Sequence, residues 1–409
     1  MRALLLLAPI ALLPALSGCS TAACTHGEFG DAECRVAAEH HYARLVTSTG
    51  VSLRFVEPTA TELGDAAPLG LLAEDDGHVR ARPATLMDFA LVIDPGDQGA
   101  AEVTVSLENV APDAILSLGP PGLEVDLPGP GVGLRREIVI PLSDERLVLR
   151  SRRDCPAVFR VLVAGDVQTN PVHFERVLES MHDEVADGAA VGQPVLGFAL
   201  LGDLAEAPIE SELLHVYDLL GKAPVPVSTV PGNHDVHGDE MALYNRIFGP
   251  GNYVQAVCSL KLALLDTGAG SLAASVQAGL PEMFARSDFD FLVGGAHYPA
   301  HEGRTGNGWG DEDAKNYLLA ELARNDADLF VAGHYHSWEE FTGIPVGDRE
   351  LDQIISGTAG AHQGNGVPRF GYTRLTFSGA GISSCLVEVA PPGQTDLGTG
   401  TQDGIRFCP

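Results

Sequence analysis

The sequence predicts an α/β protein, a sheet with helices on its faces, preceded by a small all-β region. Two patterns lead to that class. Beyond Cys155, apolar runs alternate with longer segments of helical period, as in βαβ units. Between about residues 46 and 150, short alternating runs are punctuated by Gly, Pro, Asp and Asn at strand spacing, as in a β-sandwich. The 409 residues suffice for two cores, and a hydrophobic content of 45% is that of a folded chain. With 25 basic and 55 acidic residues the net charge is −30. Such a field repels phosphate backbones, which argues against a nucleic-acid partner. It leaves the oligomeric state open.

In chain order, residues 1–18 come first. Arg2 precedes an apolar run, Ala3 to Leu16, shorter than the roughly 20 residues that span a bilayer and flanked like a secretory signal. The run closes on Leu16-Ser17-Gly18-Cys19, which resembles the lipobox of bacterial lipoproteins. That resemblance implies cleavage before Cys19, acylation of Cys19, and an exported chain held by lipid in the cell envelope. Ser20 after Cys19 points to the outer membrane.

Residues 19–45 read as a tether leading into a short ordered start. Residues 46–150 (LVTSTGVSLRFV, AEVTVSLENV, AILSLG, GLEVDL, REIVIPL, RLVLRS) contain no catalytic constellation and read as a packing or spacing module. Six cysteines remain beside Cys19, an even count that suggests disulfides in an exported protein. Proximity favours Cys24–Cys34 and Cys385–Cys408, which leaves Cys155–Cys258. Residues 391–409 read as a C-terminal tail.

Within 155–390, Pro171 to Asp187 puts Phe174, Val177, Leu178, Met181 and Val185 on one helical face, with Asn170 as N-cap. Pro208 to Leu220 carries Ile209, Leu213, Val216 and Leu220, then Gly221 as a stop. Asp311 to Arg324 predicts a third helix. The apolar runs between these helices share one feature at their ends. VFRVLVAGDVQ closes on Asp166 and Gln168, PVLGFALLGD on Asp203, and PVPVSTVPGNHD on Asn233, His234 and Asp235. FDFLVGGAHYPAH closes on His297 and then His301, and DADLFVAGHYH on His334 and His336. One Gly-Asp after a strand is an ordinary turn. Five such ends in succession are not, because open α/β folds bind ligands outside the carboxyl ends of their strands. Two Asp, one Gln, one Asn and three His make a mixed oxygen and imidazole set suited to Mn, Fe or Zn. In Asp166-Val167-Gln168 and His334-Tyr335-His336, residues i and i+2 face the same way if the backbone stays extended.

The ordered set D-x-Q, GD, GNHD, H, GHxH resembles the calcineurin-like metallophosphoesterase superfamily over roughly residues 155–390. MALYNRIFGPGNYV and LALLDTG resemble its cyclic-nucleotide and glycerol phosphodiesterase branch. The resemblance implies a two-layer β-sandwich flanked by helices and a centre of two divalent or trivalent metal ions. Asp166, Gln168 and His336 would hold the first ion, Asp203 would bridge, and Asn233, His297 and His334 would hold the second. His234 would contact the phosphoryl oxygen or protonate the leaving group, with Asp235 or Glu206 orienting its ring. Gln168 departs from the commoner histidine, and its neutral oxygen suits a harder ion.

The activity implied is hydrolysis of a phosphate mono- or diester by in-line attack of a metal-bridging hydroxide. His237, His301, Arg304, Asn307 and Trp309 are candidates for the walls of the substrate pocket, Arg304 because a guanidinium grips phosphate bidentately. The competing reading is a non-catalytic surface lipoprotein that uses a phosphoesterase-like domain as a binding or scaffold module. Competent side chains at all seven ligand positions favour the enzyme.

Overall fold

Two sheets stacked face to face carry the strand ends singled out above. The computed structural model describes residues 32–59, 63–96, 99–129, 131–237, 242–301, 308–362, 369–390 and 405–408. One sheet has five strands in the order Val227–Val230, Val195–Leu201, Phe159–Ala164, Gly371–Ser378, Gly381–Glu388. Its first three strands run parallel, so their carboxyl ends share one edge. The other sheet has six strands in the order Tyr253–Val257, Leu260–Leu265, Phe291–Ala296, Leu329–Ala332, Arg349–Ser356, Trp338–Val346. Leu260–Leu265, Phe291–Ala296, Leu329–Ala332 and Arg349–Ser356 are mutually parallel in that sheet.

Period-two alternation sorts the side chains of these strands into layers. Phe159, Val161 and Val163 face inward and join one core with Leu260, Leu262, Leu264, Val293 and Val331 of the facing sheet. Leu162 and Ala164 point outward, beneath Phe174, Val177, Leu178 and Met181 of the helix Pro171–Ala190 and Leu213, Val216 and Leu220 of Glu210–Leu220. On the far face, Ala263, Leu265 and Phe330 meet Leu280 of Ala274–Met283 and Leu318 and Leu322 of Glu312–Arg324. Each fully buried Val, Leu or Phe stabilises the fold by about 1.5–3 kcal/mol. The predicted two-layer sandwich flanked by helices is therefore the observed fold.

The three predicted helices form. Asn170 and Asp311 cap two of them by accepting from the main-chain N–H of His173 and Ala314. The short helices Asn233–Val236 and Leu243–Phe248, and Ala274–Met283 with Pro281 inside it, had no clear periodic signal.

The strand-rich N-terminal region forms a six-stranded sheet from Arg44–Val46 to Leu147–Arg152 and a four-stranded sheet holding Gly70–Asp75, His78–Pro83, Glu102–Leu107 and Arg136–Pro141. Its inward residues, Leu53, Phe55, Leu91, Val79 and Val105 among them, belong to the same continuous core as the two stacked sheets. It also covers an edge. The side-chain amide of Asn109 accepts from Val227 N–H at 2.7 Å and donates to Val227 C=O at 3.0 Å, which satisfies both backbone groups of Val227 at the start of the edge strand Val227–Val230. Arg82 donates to Val227 C=O and Phe248 C=O, and Ser228 donates to Ala84 C=O.

The segment read as a tether is helical from Ala32 to Tyr42 and docks on the second half of the chain. Arg35, fully buried, donates to both carboxylate oxygens of Asp266 at 2.5 and 3.0 Å. Disulfides join Cys155 to Cys258 and Cys385 to Cys408, with Cα–Cα separations of 5.2 and 5.0 Å. The latter ties residues 405–408 alongside strand Gly381–Glu388. Cys34 is also disulfide-bonded. The expected partner Cys24, like the signal segment, Cys19 and most of the tail, lies outside the described residues.

Glu39 sits on that docked helix, fully buried, and its Oε1 accepts from Gly251 N–H, Asn252 N–H and the Asn252 side chain. Burial, reinforced by the Asp266 carboxylate, pushes its pKa up from 4.5 to about 8. A carboxyl whose folded pKa lies above its unfolded one contributes stability in full below about pH 4.5 and loses it as pH rises toward 8. Glu39→Gln, which keeps the acceptor and removes the charge, should therefore melt above wild type at pH 9, with the gap closing toward pH 5. Thermal melts across that range check it, and a gap independent of pH contradicts it.

Candidate active site

The carboxyl ends of the parallel strands from both sheets meet at one rim. Gly165 N–H donates to Ser356 C=O, Asp166 N–H to Gly202 C=O, and Gly333 N–H to His297 C=O. Immediately after Gly165, Gly202 and Gly333, the residues Asp166, Asp203 and His334 adopt left-handed backbone, with φ of 65°, 52° and 70°. Non-glycine residues reach that region at a cost, and such strain clusters at functional sites. Here it turns the chain sharply out of the strand and swings the side chain back over the rim. The backbone is therefore not extended across Asp166/Gln168 and His334/His336, contrary to the sequence expectation. The chain bends at the first member of each pair, and the side chains reach the site through that bend.

Glycine is required where backbone closes on ligand. At Gly202 (φ 80°) a Cβ would stand 2.5 Å from Gly232 N and 2.8 Å from His297 Nδ1. At Gly232 it would run into the Asp203 carboxylate.

Two groups of atoms able to hold a metal ion result. Those of Asp203, His297 and His334 lie within 4.8 Å of one another, as do those of Asp166, Asp203 and His336, so Asp203 belongs to both. His297 Nε2 stands 3.3 Å from Asp203 Oδ1, 3.1 Å from Asn233 Oδ1 and 3.2 Å from His334 Nδ1. His336 Nε2 lies 3.6 Å from Asp166 Oδ1. Gln168 is 6% exposed, and its Oε1 is buried with no hydrogen-bond partner. An orphaned buried carbonyl oxygen costs about 1–3 kcal/mol unless something binds it. The donor set fits two cations, with oxygen predominating on the Gln168 side and oxygen and nitrogen balanced on the His297 side.

Main-chain carbonyls aim the rings. His297 donates through Nδ1 to Leu201 C=O at 2.9 Å, a bond that crosses from one sheet to the other, and His336 donates through Nδ1 to His362 C=O at 2.8 Å. A carbonyl only accepts, so Nδ1 carries a proton, and Nε2 is the nitrogen turned to the other polar atoms of the rim, the arrangement that second-sphere carbonyls impose on metal-binding imidazoles.

The charges oppose each other at close range. Burial disfavours an imidazolium at His297, but Asp203 and then Asp166 outweigh it and hold the ring up to about 9. Asp203 is buried too, and His297 beside it nonetheless draws its carboxyl down to about 2. Burial pushes Asp166 up to about 6, while burial and the neighbouring His297 press His334 down to about 3.

His234 N–H donates to Asp203 Oδ1 at 2.9 Å, and its ring donates through Nδ1 to the main-chain carbonyl of Glu206 at 2.8 Å. Neither expected carboxylate orients that ring. Asp235, fully buried, accepts from Gly232, Leu204 and Ala205 N–H at 2.7, 2.9 and 3.1 Å, which ties two strand ends together and directs it away from the imidazole. Burial, with Asp203 nearby, raises its pKa to about 7. The Glu206 side chain is exposed to solvent.

Among the pocket candidates, His237 donates through Nδ1 to Asn233 C=O and stands edge-on to His234, with ring centroids 5.4 Å apart. His301 is held by Gln353 and packs against Phe341. Trp309 is a buried structural residue that donates to Pro299 C=O. Arg304 and Asn307 lie outside the described residues. The positioning groups that sequence reading missed are the carbonyls of Leu201, Glu206 and His362, which no side-chain pattern signals. It also missed Tyr298, whose ring packs tilted against that of His334, with centroids 4.2 Å apart.

Residues 159–338 match the family model described as calcineurin-like phosphoesterase. Several solved structures are similar to the chain. The purple acid phosphatase PPD1 from yellow lupin (Lupinus luteus) seeds shares 13% identity over 78% of this chain and 72% of its own, with a TM-score of 0.45. GAP50, the anchor in the inner membrane complex of Plasmodium, shares 17% over 57% and 85%, with a TM-score of 0.44. PhoD shares 9% over 78% and 92%, with a TM-score of 0.42. No curated protein sequence matches.

Two outcomes follow from this geometry. Gly232→Ala, by displacing the Asp203 carboxylate, should weaken Mn²⁺ binding at least tenfold while the fold persists; equal affinity by calorimetry contradicts it. Because His297 holds a proton below about pH 9 that a cation must expel, Mn²⁺ affinity should rise about tenfold per pH unit between pH 7 and 9 and level off above. A flat profile over that interval contradicts the assignment.

Proposed function

We propose that the calcineurin-like phosphoesterase domain carried by residues 159–338 is a working metal-dependent hydrolase of phosphate esters. One observation carries the reading most heavily: the buried, unpartnered Oε1 of Gln168 lies in the same rim as an imidazole nitrogen crowded by three further ligand atoms. Asp166, Gln168 and His336 would hold one cation, Asn233, His297 and His334 the other, and Asp203 would serve both. The pair, Mn, Fe or Zn by donor chemistry, would polarise the phosphoryl oxygen and lower the pKa of a water from 15.7 to about 7.

The remaining work falls to the chain. Asp203 sets the spacing of the two ligand groups and, through its bond from His234 N–H, fixes the turn that presents the His234 ring. With its Nδ1 proton kept on Glu206 C=O, the protonated His234 ring would use Nε2 to give a proton to the departing alcohol oxygen. Until that transfer the carbonyl stabilises the positive charge on the ring.

Export and lipid anchoring at Cys19 are part of the same proposal, supported by the lipobox-like segment and by disulfides that suit an oxidising compartment.

Elemental analysis of the purified protein, followed by a panel of mono- and diesters with added Mn²⁺, tests the reading. Asp203→Asn should abolish turnover with the circular dichroism spectrum retained; unchanged turnover sinks the assignment. His234→Ala should keep its metal and lose about 10²–10⁴ in rate, most for poor leaving groups. Loss of metal in that variant would show that the role is wrong. Cys19→Ser should shift the protein from the membrane to the soluble fraction, and a protein still pelleting with membranes would remove the anchor.

A further inference from the structure

Beside the Gln168 end of the rim opens a cavity of about 400 Å³. Gln168 lines it on one side, Leu204, Ala205 and Val216 give it apolar walls, and Glu206 and Glu212 contribute carboxylates. Among the described residues of its wall there is no Lys or Arg; His215 is the remaining titratable side chain. Glu212 is fixed in place, since its Oε2 accepts from Glu206 N–H and Ala207 N–H at 3.1 and 3.0 Å. Glu206 in turn holds the His234 ring by its carbonyl. The cavity therefore adjoins both the unpartnered Oε1-bearing side chain and the residue that anchors the proposed proton donor.

We infer that this cavity receives the departing alcohol of the ester and favours an alcohol carrying a cationic ammonium group. The inference rests on the phosphoesterase reading above and deepens it. Two carboxylates without a basic neighbour repel a phosphate or carboxylate substituent and attract a cation. The apolar walls offer contact to the methylene and methyl groups of such an alcohol. A volume of about 400 Å³ suits a small organic group rather than a macromolecule. Hydrolysis breaks the P–O bond to that alcohol, consumes one water, and returns the alcohol with a proton from His234 Nε2.

Phosphocholine and 3,3-dimethylbutyl phosphate, which differ in charge but hardly in shape, test the inference. With Mn²⁺ present, wild type should prefer phosphocholine at least tenfold in kcat/KM, and Glu206→Lys, an exposed substitution that leaves the carbonyl in place, should cancel or invert the preference. Free choline titrated calorimetrically gives a readout independent of catalysis, and Glu206→Lys should weaken its binding at least tenfold. Equal kcat/KM for the two esters, or a preference unmoved by Glu206→Lys, overturns the cavity's role and leaves the hydrolase standing. Turnover of neither ester nor of any mono- or diester of the panel, with choline binding that Glu206→Lys removes, overturns the hydrolase reading and supports the cation preference of the cavity.

Discussion

The Asp203 carboxylate is the constraint on which the rest of the molecule depends. It is 2% exposed, it takes the N–H of His234 from the neighbouring strand end, and it stands within 3.3 Å of an imidazole carried by the other sheet. Asp166, fully buried, lies in the second of the two groups that share Asp203. Burying two carboxylates so close is costly unless positive charge accompanies them. The rim supplies imidazoles, two of which meet nitrogen to nitrogen at 3.2 Å. Every one of these atoms is a competent donor to a metal, and the proposed cations would bring the remaining positive charge.

Holding such a rim together has a conformational cost that the surrounding fold offsets. Left-handed backbone at Asp166, Asp203 and His334 costs on the order of 1–3 kcal/mol each. Against it stand a continuous core running from the N-terminal sheets through both layers, the Asn109 clasp on an edge strand, and the Cys155–Cys258 disulfide. The N-terminal region thus acts on the site indirectly. It completes the edge of the sheet whose strand Val227–Val230 runs directly into Asn233 and His234. The Asp235 carboxylate locks that junction by gathering three main-chain N–H groups.

Much of this was legible in the sequence because the chemistry sits on side chains at strand ends. Asp166, Asp203, Asn233, His297, His334 and His336 all announce themselves after apolar runs, and the helices at 171–190 and 312–324 follow from period and caps. What escaped notice has a common physical origin. The i, i+2 argument assumed extended backbone at Asp166 and His334, whereas their positive φ is imposed by tertiary closure between sheets. The rings of His234, His297 and His336 are aimed by carbonyls, which every residue carries and no pattern reveals. The Arg35–Asp266 pair spans 231 positions of sequence and joins an unremarkable helix to a distant turn. Glu206 and Glu212 gain significance only because Glu210–Leu220 folds back to wall a cavity beside Gln168.

The central claim is that one rim cages two cations through a shared Asp203. Crystals grown with Mn²⁺ and measured for anomalous scattering test it most directly. The account predicts two peaks, one among Asp166, Gln168 and His336 and one among Asn233, His297 and His334, with the Asp203 carboxylate in contact with both. Absence of both peaks from the rim, or peaks that leave Asp203 and Gln168 uncoordinated, would contradict it.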